Sequence, residues 1–219
     1  MKSTVLFDLD GTLTDPELGI SRCIRFALEQ MQLPVPDKHQ LRAWIGPPLR
    51  ASFASWFATL GSDADADLAL QLYRQRFADI GLFENTVYPG IEQLLADLQQ
   101  QGRQLYVATA KPTIYADRII RHFQLDKYFV EVCGSELDGR NTNKIDLLAS
   151  MINKHELVST DCLMIGDRHY DIAAARHHQI GNIGVLWGYG SERELSRAGV
   201  DCTVDTIGQL AVALGTVSK

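Results

Sequence analysis

The amino-terminal part of the chain begins with one short apolar run and continues with helical periodicity. Residues Thr4–Phe7 are mostly apolar and lead into polar residues, which predicts a buried strand with polar side chains at its carboxyl end. Over residues 17–31, apolar positions recur at steps of three and four, the spacing of one face of an amphipathic helix. Further helices are predicted at about 37–44, 49–60 and 65–80. We therefore expect residues 15–82 to form an all-helical insertion.

The rest of the chain alternates between apolar strands and helices. This alternation is typical of an α/β protein with a parallel sheet covered on both faces, and ligands bind such sheets beyond the carboxyl ends of the strands. We predict a Rossmann-like, doubly wound parallel sheet in a core of residues 1–14 and 83–219, with an inserted α-helical cap domain at 15–82. Strands are predicted at 104–109, 129–133, 162–165 and 183–186, and helices at 90–101, 113–122, from about 144, and at 170–178, before a terminal strand and helix.

Composition narrows the class of protein. The 219 residues are 46% hydrophobic and 22% charged, which excludes a collagen-like, coiled-coil or wholly disordered chain. The net charge of −6, without a basic stripe, argues against nucleic acid or a membrane surface as partner.

The four cysteines of the chain are far apart, which favours reduced thiols. No run approaches the ~20 apolar residues of a membrane span, and the first apolar run stops at Asp8, so we expect a cytoplasmic protein. Oligomeric state is not predicted by these features.

Polar residues suited to one reaction centre follow several of the predicted strands. Close carboxylates raise one another's pKa unless a cation compensates them. Mg²⁺ takes oxygen ligands and often bridges to phosphate, so this pattern predicts Mg²⁺ and a phosphorylated substrate. A carboxylate can also act as a nucleophile and form an aspartyl phosphate. The residues are Asp8 and Asp10 after the first strand, Thr109 after the second, Lys144 at a helix start, and Asp167 with Asp171 after a later strand.

These residues carry a resemblance to a known family. The run Phe7-Asp8-Leu9-Asp10-Gly11-Thr12, then Thr109, Lys144 and Gly166-Asp167-x-x-x-Asp171, resembles in order the four motifs of the haloacid dehalogenase-like superfamily. The helical insertion after the first motif resembles the α-helical cap of its subfamily I. The overall likeness is to phosphoglycolate phosphatases and 5′-nucleotidase-like hydrolases, which implies phosphomonoester hydrolysis.

The resemblance also implies roles for individual residues. Asp8 would be the nucleophile that attacks phosphorus, and Asp10 would protonate the leaving oxygen and later activate water. Thr109 and Lys144 would hold the phosphoryl oxygens. Phosphoryl transfer depends mainly on positioning and charge stabilisation, which such groups supply.

The resemblance implies a metal site that overlaps the catalytic residues. Mg²⁺ would be held by Asp8, by the backbone carbonyl of Asp10 and by Asp167. Asp171 would be an outer or water-mediated partner.

Substrate contacts are predicted in the core and in the cap. Many relatives carry Asn after the strand-end Thr, whereas this chain has Ala110 followed by Lys111, a charge near the substrate. In the cap, Gly46 permits close approach of backbone to ligand, and Arg50 can pair with an anion. The alternative is that Gly46 only breaks a helix and Arg50 is solvated. The predicted substrate-binding residues are Gly11, Thr12, Ala110, Lys111, Gly46 and Arg50.

Two other functions remain open on the sequence. The motifs also fit phosphotransfer, including a sugar-phosphate mutase. A pocket of carboxylates with a lysine on a parallel sheet also resembles receiver-type signalling domains, with Asp8 as the phosphoacceptor, although the helical cap argues against that. The leading hypothesis is a Mg²⁺-dependent phosphatase of a small phosphorylated metabolite.

Overall fold

The structure is a computed structural model that describes residues 2–216. The chain divides into two compact units. One comprises residues 1–15 and 87–219, and the other is the intervening segment, residues 16–86. Residues 217–219, the end of the predicted core, lie outside the described residues, as does Met1.

The first unit is built on a six-stranded parallel sheet, as the alternation of strands and helices predicts. Its first strand is buried at every residue because it lies in the middle of the sheet with helices packed around it. The predicted α/β fold with a parallel sheet is confirmed. The strands are β1 Thr4–Phe7, β4 Gln104–Pro112, β5 Glu131–Ser135, β6 Cys162–Gly166, β7 Gly181–Val185 and β8 Cys202–Val204.

The strand order creates a crevice next to β1. The order across the sheet is β5-β4-β1-β6-β7-β8, so the chain winds from β1 toward one edge and then toward the other. Phe7 at the end of β1 is in register with Val107 of β4 and with Ile165 of β6. Ligands of doubly wound sheets bind at such a point, where the winding direction reverses. The residues after β1 and β6, and those late in β4, therefore face one crevice.

Within residues 2–216, six α-helices belong to this unit and pack around its sheet. Helix α5, Ile91–Gln100, buries Ile91, Leu94, Leu95 and Leu98 at helical spacing. The side chain of Asn143 accepts a hydrogen bond from Ile145 N–H, which fixes the start of the helix that begins with Lys144. The six are α5 Ile91–Gln100, α6 Thr113–His122, α7 Lys144–His155, α8 His169–His177, α9 Glu192–Ala198 and α10 Ile207–Leu214.

The second unit is helical. Its first helix buries Ile20, Ile24 and Leu28 on one stripe, the spacing that indicates an amphipathic helix. The side chain of Glu84 forms ion pairs with two arginines of the unit. No helix within residues 2–216 is both long enough and apolar enough to cross a membrane. The helices are α1 Glu17–Gln30, α2 Lys38–Ala43, α3 Leu49–Thr59 and α4 Ala66–Arg76, which continues as a π-helical turn, Phe77–Gly81.

The structure differs from the sequence-based predictions in several elements. Two short strands, β2 Thr14–Asp15 and β3 Thr86–Val87, pair in a two-stranded sheet where the chain passes from one unit to the other. The helix predicted over 65–80 is α-helical only as far as Arg76. Strand β4 runs beyond its predicted end because a shift in its register with β5 inserts an irregular stretch between Ala108 and Pro112.

Candidate active site

Asp8 is positioned by the end of β1. Its backbone N–H donates to Ile165 O at 2.9 Å, which extends the β1–β6 pairing by one residue. The Oδ1 atom of Asp8 accepts a hydrogen bond from Leu9 N–H at 2.8 Å. The carboxylate is therefore buried and fixed in orientation at the carboxyl edge of the sheet.

Lys144 brings a buried positive charge to this carboxylate. Its Nζ lies 3.0 Å from Asp8 Oδ1 and also forms an ion pair with Asp171. Burial alone would lower the pKa of Lys144, but the charges of Asp171 and Asp8 outweigh it and raise that pKa. Lys144 is therefore a cation at neutral pH, at the first residue of α7.

Asp8, Asp167 and Asp171 form a compact acidic cluster. One carboxylate oxygen from each lies within 4.8 Å of the others. The Oδ2 atom of Asp167 accepts a hydrogen bond from Tyr189 N–H at 2.7 Å, whereas its buried Oδ1 has no hydrogen-bond partner within residues 2–216. Burial, followed by the charges of Asp171 and Asp8, raises the pKa of Asp167 well above its ordinary value. The excess negative charge and the orphaned oxygen fit a hard dication such as Mg²⁺.

Asp171 is held at the start of α8. Its Oδ2 accepts a hydrogen bond from Arg168 N–H at 3.0 Å, while its Oδ1 pairs with Lys144. Burial raises the pKa of Asp171 although Lys144 opposes the shift. A Cβ atom at Gly166 would overlap the Asp171 carboxyl group, so this close approach requires glycine.

A second ion pair lies beside the cluster, between Asp10 and Lys111. Lys111 Nζ is 2.7 Å from Asp10 Oδ2, and both side chains are largely buried. Burial raises the pKa of Asp10, and the charge of Lys111 opposes that rise. The Thr109 hydroxyl accepts a hydrogen bond from Lys111 N–H at 3.2 Å. Thr109, Ala110 and Lys111 occupy the irregular stretch of β4, where the Ala110 carbonyl accepts a bond from the Ser135 hydroxyl.

The loop after Asp10 packs against the acidic cluster. Gly11 has φ +84°, and a Cβ atom there would overlap Asp167 and the ring of Tyr189. Thr12 is fully buried, and its carbonyl accepts a hydrogen bond from Trp187 Nε1 at 3.2 Å. The buried Thr12 hydroxyl has no hydrogen-bond partner in the described part of the chain.

Two predicted substrate contacts belong to the helical unit, residues 16–86. Gly46 is exposed with φ +104°, in the segment between α2 and α3. Arg50 is also exposed, and it donates from Nε and Nη2 to the two carboxylate oxygens of Asp67, each at 2.7 Å. Arg50 is thus held by a bidentate pair within its own unit.

Tyr189 also belongs to this site, although it is not among the residues predicted from the sequence. Its N–H holds Asp167, and its hydroxyl bonds to Asp15. Side-chain Cβ atoms at Gly188 or Gly190 would overlap Asp167, so both glycines allow the loop to lie directly on that residue. The signal was present as Trp187-Gly188-Tyr189-Gly190 after an apolar strand, because glycines at the carboxyl edge of a parallel sheet indicate close backbone approach.

The sequence is similar to one known protein family and to individual known proteins. The family described as haloacid dehalogenase-like hydrolase matches residues 5–185. A 5′-nucleotidase from Pseudomonas aeruginosa is 46% identical, covering 87% of this chain and 86% of that protein. Tyrosine-protein kinase PtkA from Mycobacterium tuberculosis is 35% identical, covering 96% of this chain and 72% of that protein. A phosphoglycolate phosphatase from Vibrio parahaemolyticus is 27% identical, covering 94% of this chain and 93% of that protein.

The same fold is found in solved structures. The crystal structure of a predicted phosphatase from Clostridium acetobutylicum superposes with a TM-score of 0.91 at 38% identity. The superposition covers 99% of this chain and 100% of that one.

Proposed function

The chain belongs to the haloacid dehalogenase-like hydrolase family and is an enzyme of its phosphatase group, and from this premise we propose that it hydrolyses a small phosphomonoester with Mg²⁺ through an aspartyl phosphate on Asp8. The membership of this family that the sequence resemblance predicts is confirmed. The observation that carries the proposal is the buried contact between Lys144 and Asp8 inside the acidic cluster. It joins a nucleophile and a compensating cation at one point.

Asp8 is the proposed nucleophile. One of its carboxylate oxygens attacks phosphorus, and the bond from phosphorus to the leaving oxygen breaks. Lys144 and Leu9 N–H hold Oδ1 and fix the plane of the carboxylate before the attack. Lys144 also offsets the negative charge that the phosphoryl oxygens carry in the transition state, and the Thr109 hydroxyl donates to one of those oxygens.

Asp10 is the proposed acid and base. In the first step its carboxyl group gives a proton to the leaving oxygen. In the second step its carboxylate accepts a proton from water, the water oxygen bonds to phosphorus, and the bond to Asp8 breaks to release inorganic phosphate. Lys111 keeps Asp10 in place between the two steps and opposes the rise in its pKa that burial causes.

Asp8, Asp167 and the backbone carbonyl of Asp10 are the proposed ligands of Mg²⁺, with Asp171 as an outer partner. The bound ion supplies charge stabilisation to the phosphoryl group and neutralises the crowded carboxylates. Tyr189 N–H donates to Asp167 Oδ2, which orients Asp167 so that its Oδ1 can bind the ion. Asp171 binds Lys144, so it also sets the position of the cation beside Asp8.

The proposed substrate is a metabolite phosphate of the nucleoside 5′-monophosphate or 2-phosphoglycolate kind. Relatives named 5′-nucleotidase and phosphoglycolate phosphatase support this choice. Gly11, Thr12, Ala110 and Lys111 are the proposed contacts near the phosphoryl group. Gly46 and Arg50 of the helical unit are the proposed contacts for the leaving group.

The test is release of inorganic phosphate from a panel of nucleoside 5′-monophosphates, 2-phosphoglycolate, sugar phosphates and a generic aryl phosphate, ranked by kcat/KM. We expect release that requires Mg²⁺ and falls at least about a thousandfold in Asp8→Asn, since the amide is not a nucleophile. Acid-quenched enzyme should carry covalent phosphate that is absent from Asp8→Asn. Metal-independent release, or equal release by that variant, would contradict the proposal.

The same experiment separates hydrolysis from phosphotransfer. A relative named as a tyrosine-protein kinase makes transfer to a hydroxyl acceptor the second candidate. Transfer or mutase activity would leave phosphate on an organic product, which chromatography of the reaction detects. A receiver-type phosphoacceptor would hold phosphate on Asp8 without turnover of any substrate in the panel.

A further inference from the structure

A second cluster of metal-ligand side chains lies at the other end of α7 from Lys144. Glu131 and Cys133 are two residues apart on edge strand β5, so their side chains lie on one face of the sheet. His155 is the last residue of α7. It lies eleven residues after Lys144, about 16 Å along the helix. The cluster is therefore separate from the carboxylates that surround Asp8.

The three side chains converge on one point. The Glu131, Cys133 and His155 ligand atoms all lie within 4.8 Å of one another. His155 Nε2 is 2.7 Å from a Glu131 oxygen, Oε2. That nitrogen is buried, yet the direction of this contact is not that of a hydrogen bond, and no other residue of 2–216 offers it a partner. A buried ring nitrogen facing a carboxylate oxygen without a hydrogen bond is an arrangement that a shared cation satisfies.

The surrounding residues hold the three ligands in place. The ring of Tyr106 packs on the His155 imidazole, with centroids 4.8 Å apart. Lys154 Nζ donates to the other oxygen of Glu131, Oε1, at 2.6 Å, which leaves Oε2 directed at His155. Cys133 is buried in the sheet, where β5 pairs with β4. The Glu131 and His155 side chains are therefore each fixed by a contact outside the cluster, as metal ligands are in proteins, and Cys133 is fixed by its place in the sheet.

We propose that Glu131, Cys133 and His155 form a binding site for a thiophilic divalent cation, with Zn²⁺ as the best match. One sulfur, one nitrogen and one oxygen donor suit Zn²⁺, whereas Mg²⁺ and Ca²⁺ take oxygen donors. Three protein ligands leave the fourth tetrahedral position to water. The site joins the edge strand of the sheet to the end of α7, so an occupied site stabilises this side of the unit.

Binding changes the protonation of Cys133. A metal ion binds the thiolate, whereas a cysteine without metal carries its proton at pH 7, since a thiol has an ordinary pKa of about 8.5. When the metal–sulfur bond forms, the S–H bond breaks and one proton leaves to solvent, with no change in oxidation state. Titration calorimetry in buffers of different ionisation enthalpy measures this proton.

Co²⁺ is the probe for the test, because a thiolate ligand gives a sulfur-to-cobalt charge-transfer band in the near ultraviolet that an all-oxygen site does not give. We expect this band in the wild type, saturating at one equivalent of Co²⁺. The band should persist in Asp167→Asn, which removes a ligand of the other cluster, and in Cys202→Ser, which removes an exposed thiol elsewhere. It should be lost in Cys133→Ser, and His155→Gln should bind Co²⁺ at least about tenfold more weakly.

Zn²⁺ provides a second measurement for any variant that folds poorly. Zn²⁺ should raise Tm in the wild type and in Asp167→Asn but not in His155→Gln or Glu131→Gln, which change side chains that are partly exposed. Circular dichroism checks that each variant is folded. A wild type without the band, or a band that remains in folded Cys133→Ser, would overturn the proposal, as would an equal Tm rise in His155→Gln.

Discussion

Lys111 Nζ lies 2.7 Å from Asp10 Oδ2, and both side chains are largely buried although they come from different strand ends. The positive charge of Lys111 is thus held beside Asp10, the residue proposed as acid and base. Lys111 is the largest opposing influence on the upward shift that burial causes in the Asp10 pKa. Removal of the Lys111 charge is therefore expected to raise the pKa of Asp10.

We expect Lys111→Met to lower kcat about ten- to a hundredfold, because general acid–base catalysis contributes about 10²–10⁴ and depends on position and pKa. Hydrolysis of the phosphoenzyme should slow most, since Asp10 must be a carboxylate in that step. With the opposing charge removed, the Asp10 pKa rises further, so the acidic limb of the kcat profile should move to higher pH. Rapid-quench kinetics on labelled phosphoenzyme measure both effects.

Lys127→Met is the matched control for that variant. It removes the same charge from an exposed lysine that pairs with Glu92. Its kcat and pH profile should equal those of the wild type. If Lys111→Met behaved like this control, the proposed role of the Asp10–Lys111 pair would be wrong.

A second prediction concerns Asp167 in the absence of metal. Its pKa is raised well above the ordinary value by burial and by Asp171 and Asp8. The pKa of an aspartate in the unfolded chain is about 3.9. When the pKa is higher in the folded protein, the group stabilises the fold fully below about pH 3.9, and this contribution to the free energy of unfolding is lost as the pH rises to the folded-state pKa. In EDTA at pH 7, Asp167→Asn should therefore have a higher Tm than the wild type. The difference should shrink as the pH falls to about 4.

With Mg²⁺ the effect of Asp167→Asn should reverse. The wild type should gain stability on adding Mg²⁺, because the ion binds only the folded site. The variant should bind Mg²⁺ at least about tenfold more weakly and should show a smaller gain in Tm. Asp138→Asn, an exposed carboxyl paired with Arg140, is the control and should show neither effect. Equal Mg²⁺ stabilisation of wild type and Asp167→Asn would count against the metal assignment.

The sequence predicts the acidic residues that directly follow strands β1 and β6. Asp8 and Asp167 come directly after neighbouring strands β1 and β6, so their proximity follows from the topology. Lys144 is predicted to lie at a helix start, and in the structure its Nζ lies 3.0 Å from Asp8 Oδ1. These predictions depend on where strands end and helices begin, which residue patterns indicate, and on the family resemblance of the motifs.

Other contacts depend on backbone details that residue types do not reveal. The contact between Lys111 and Asp10 lies at a register shift in β4, and the strand was expected to end at Thr109. Tyr189 acts on Asp167 through its N–H, a group that every residue except proline has. The sequence predicts that Arg50 can pair with an anion, but its bidentate pairing with Asp67 follows from the packing of α3 against α4.

A third prediction tests the close packing at Gly11. Alanine there must adopt φ +84° and would overlap Asp167 and Tyr189. We expect Gly11→Ala to lower kcat at least about a hundredfold, since a misplacement of about 1 Å in an active site has that effect. It should also weaken Mg²⁺ binding, because Asp167 must move. Steady-state kinetics over a range of Mg²⁺ concentrations give both quantities.

Gly102→Ala separates backbone strain from displacement. Gly102 has φ +75°, and a Cβ atom built there meets nothing within 4 Å among the described residues. The variant should lose about 1–2 kcal/mol of stability through the left-handed conformation alone and keep its kcat and Mg²⁺ affinity. If Gly11→Ala showed only this loss of stability, the overlap with Asp167 would have no functional consequence.

A fourth prediction concerns the stability of the helical unit. Glu84 lies 2.6 Å from Arg22 Nη1 and 2.8 Å from Arg76 Nη1, and its own side chain is largely buried. Hydrogen bonds from Arg76, and then from Arg22, hold the Glu84 pKa below its ordinary value. Glu84→Gln should lower the free energy of unfolding by about 1–3 kcal/mol at pH 7, because hydrogen bonds to charged groups are lost.

The pH dependence identifies the cause of that loss. A lowered carboxyl pKa gives stability that is present above the unfolded value of about 4.3 and is lost as the pH falls through the folded value. The difference between wild type and Glu84→Gln should therefore be constant near pH 7 and shrink below about pH 4. Glu92→Gln, an exposed carboxyl paired with Lys127, should change stability much less. A difference that persists at low pH would show that packing, not charge, is responsible.

The last prediction concerns Arg50 and the choice of substrate. Its guanidinium binds both oxygens of Asp67 in an exposed pair, which contributes little to stability. The same fork can bind a carboxylate or a phosphate of a ligand. We expect Arg50→Ala to lower kcat/KM for the preferred metabolite at least about tenfold, because binding energy from the non-reacting part of a substrate is used for positioning. For an aryl phosphate without a second anionic group, the loss of kcat/KM should be much smaller.

Asp67→Asn is the matched variant. It keeps the cation and removes the carboxylate that competes for it, so kcat/KM for the metabolite should be maintained or raised. Equal losses on both substrates in Arg50→Ala would mean that the pair supports the fold of the helical unit, and no loss on either would exclude Arg50 from substrate binding.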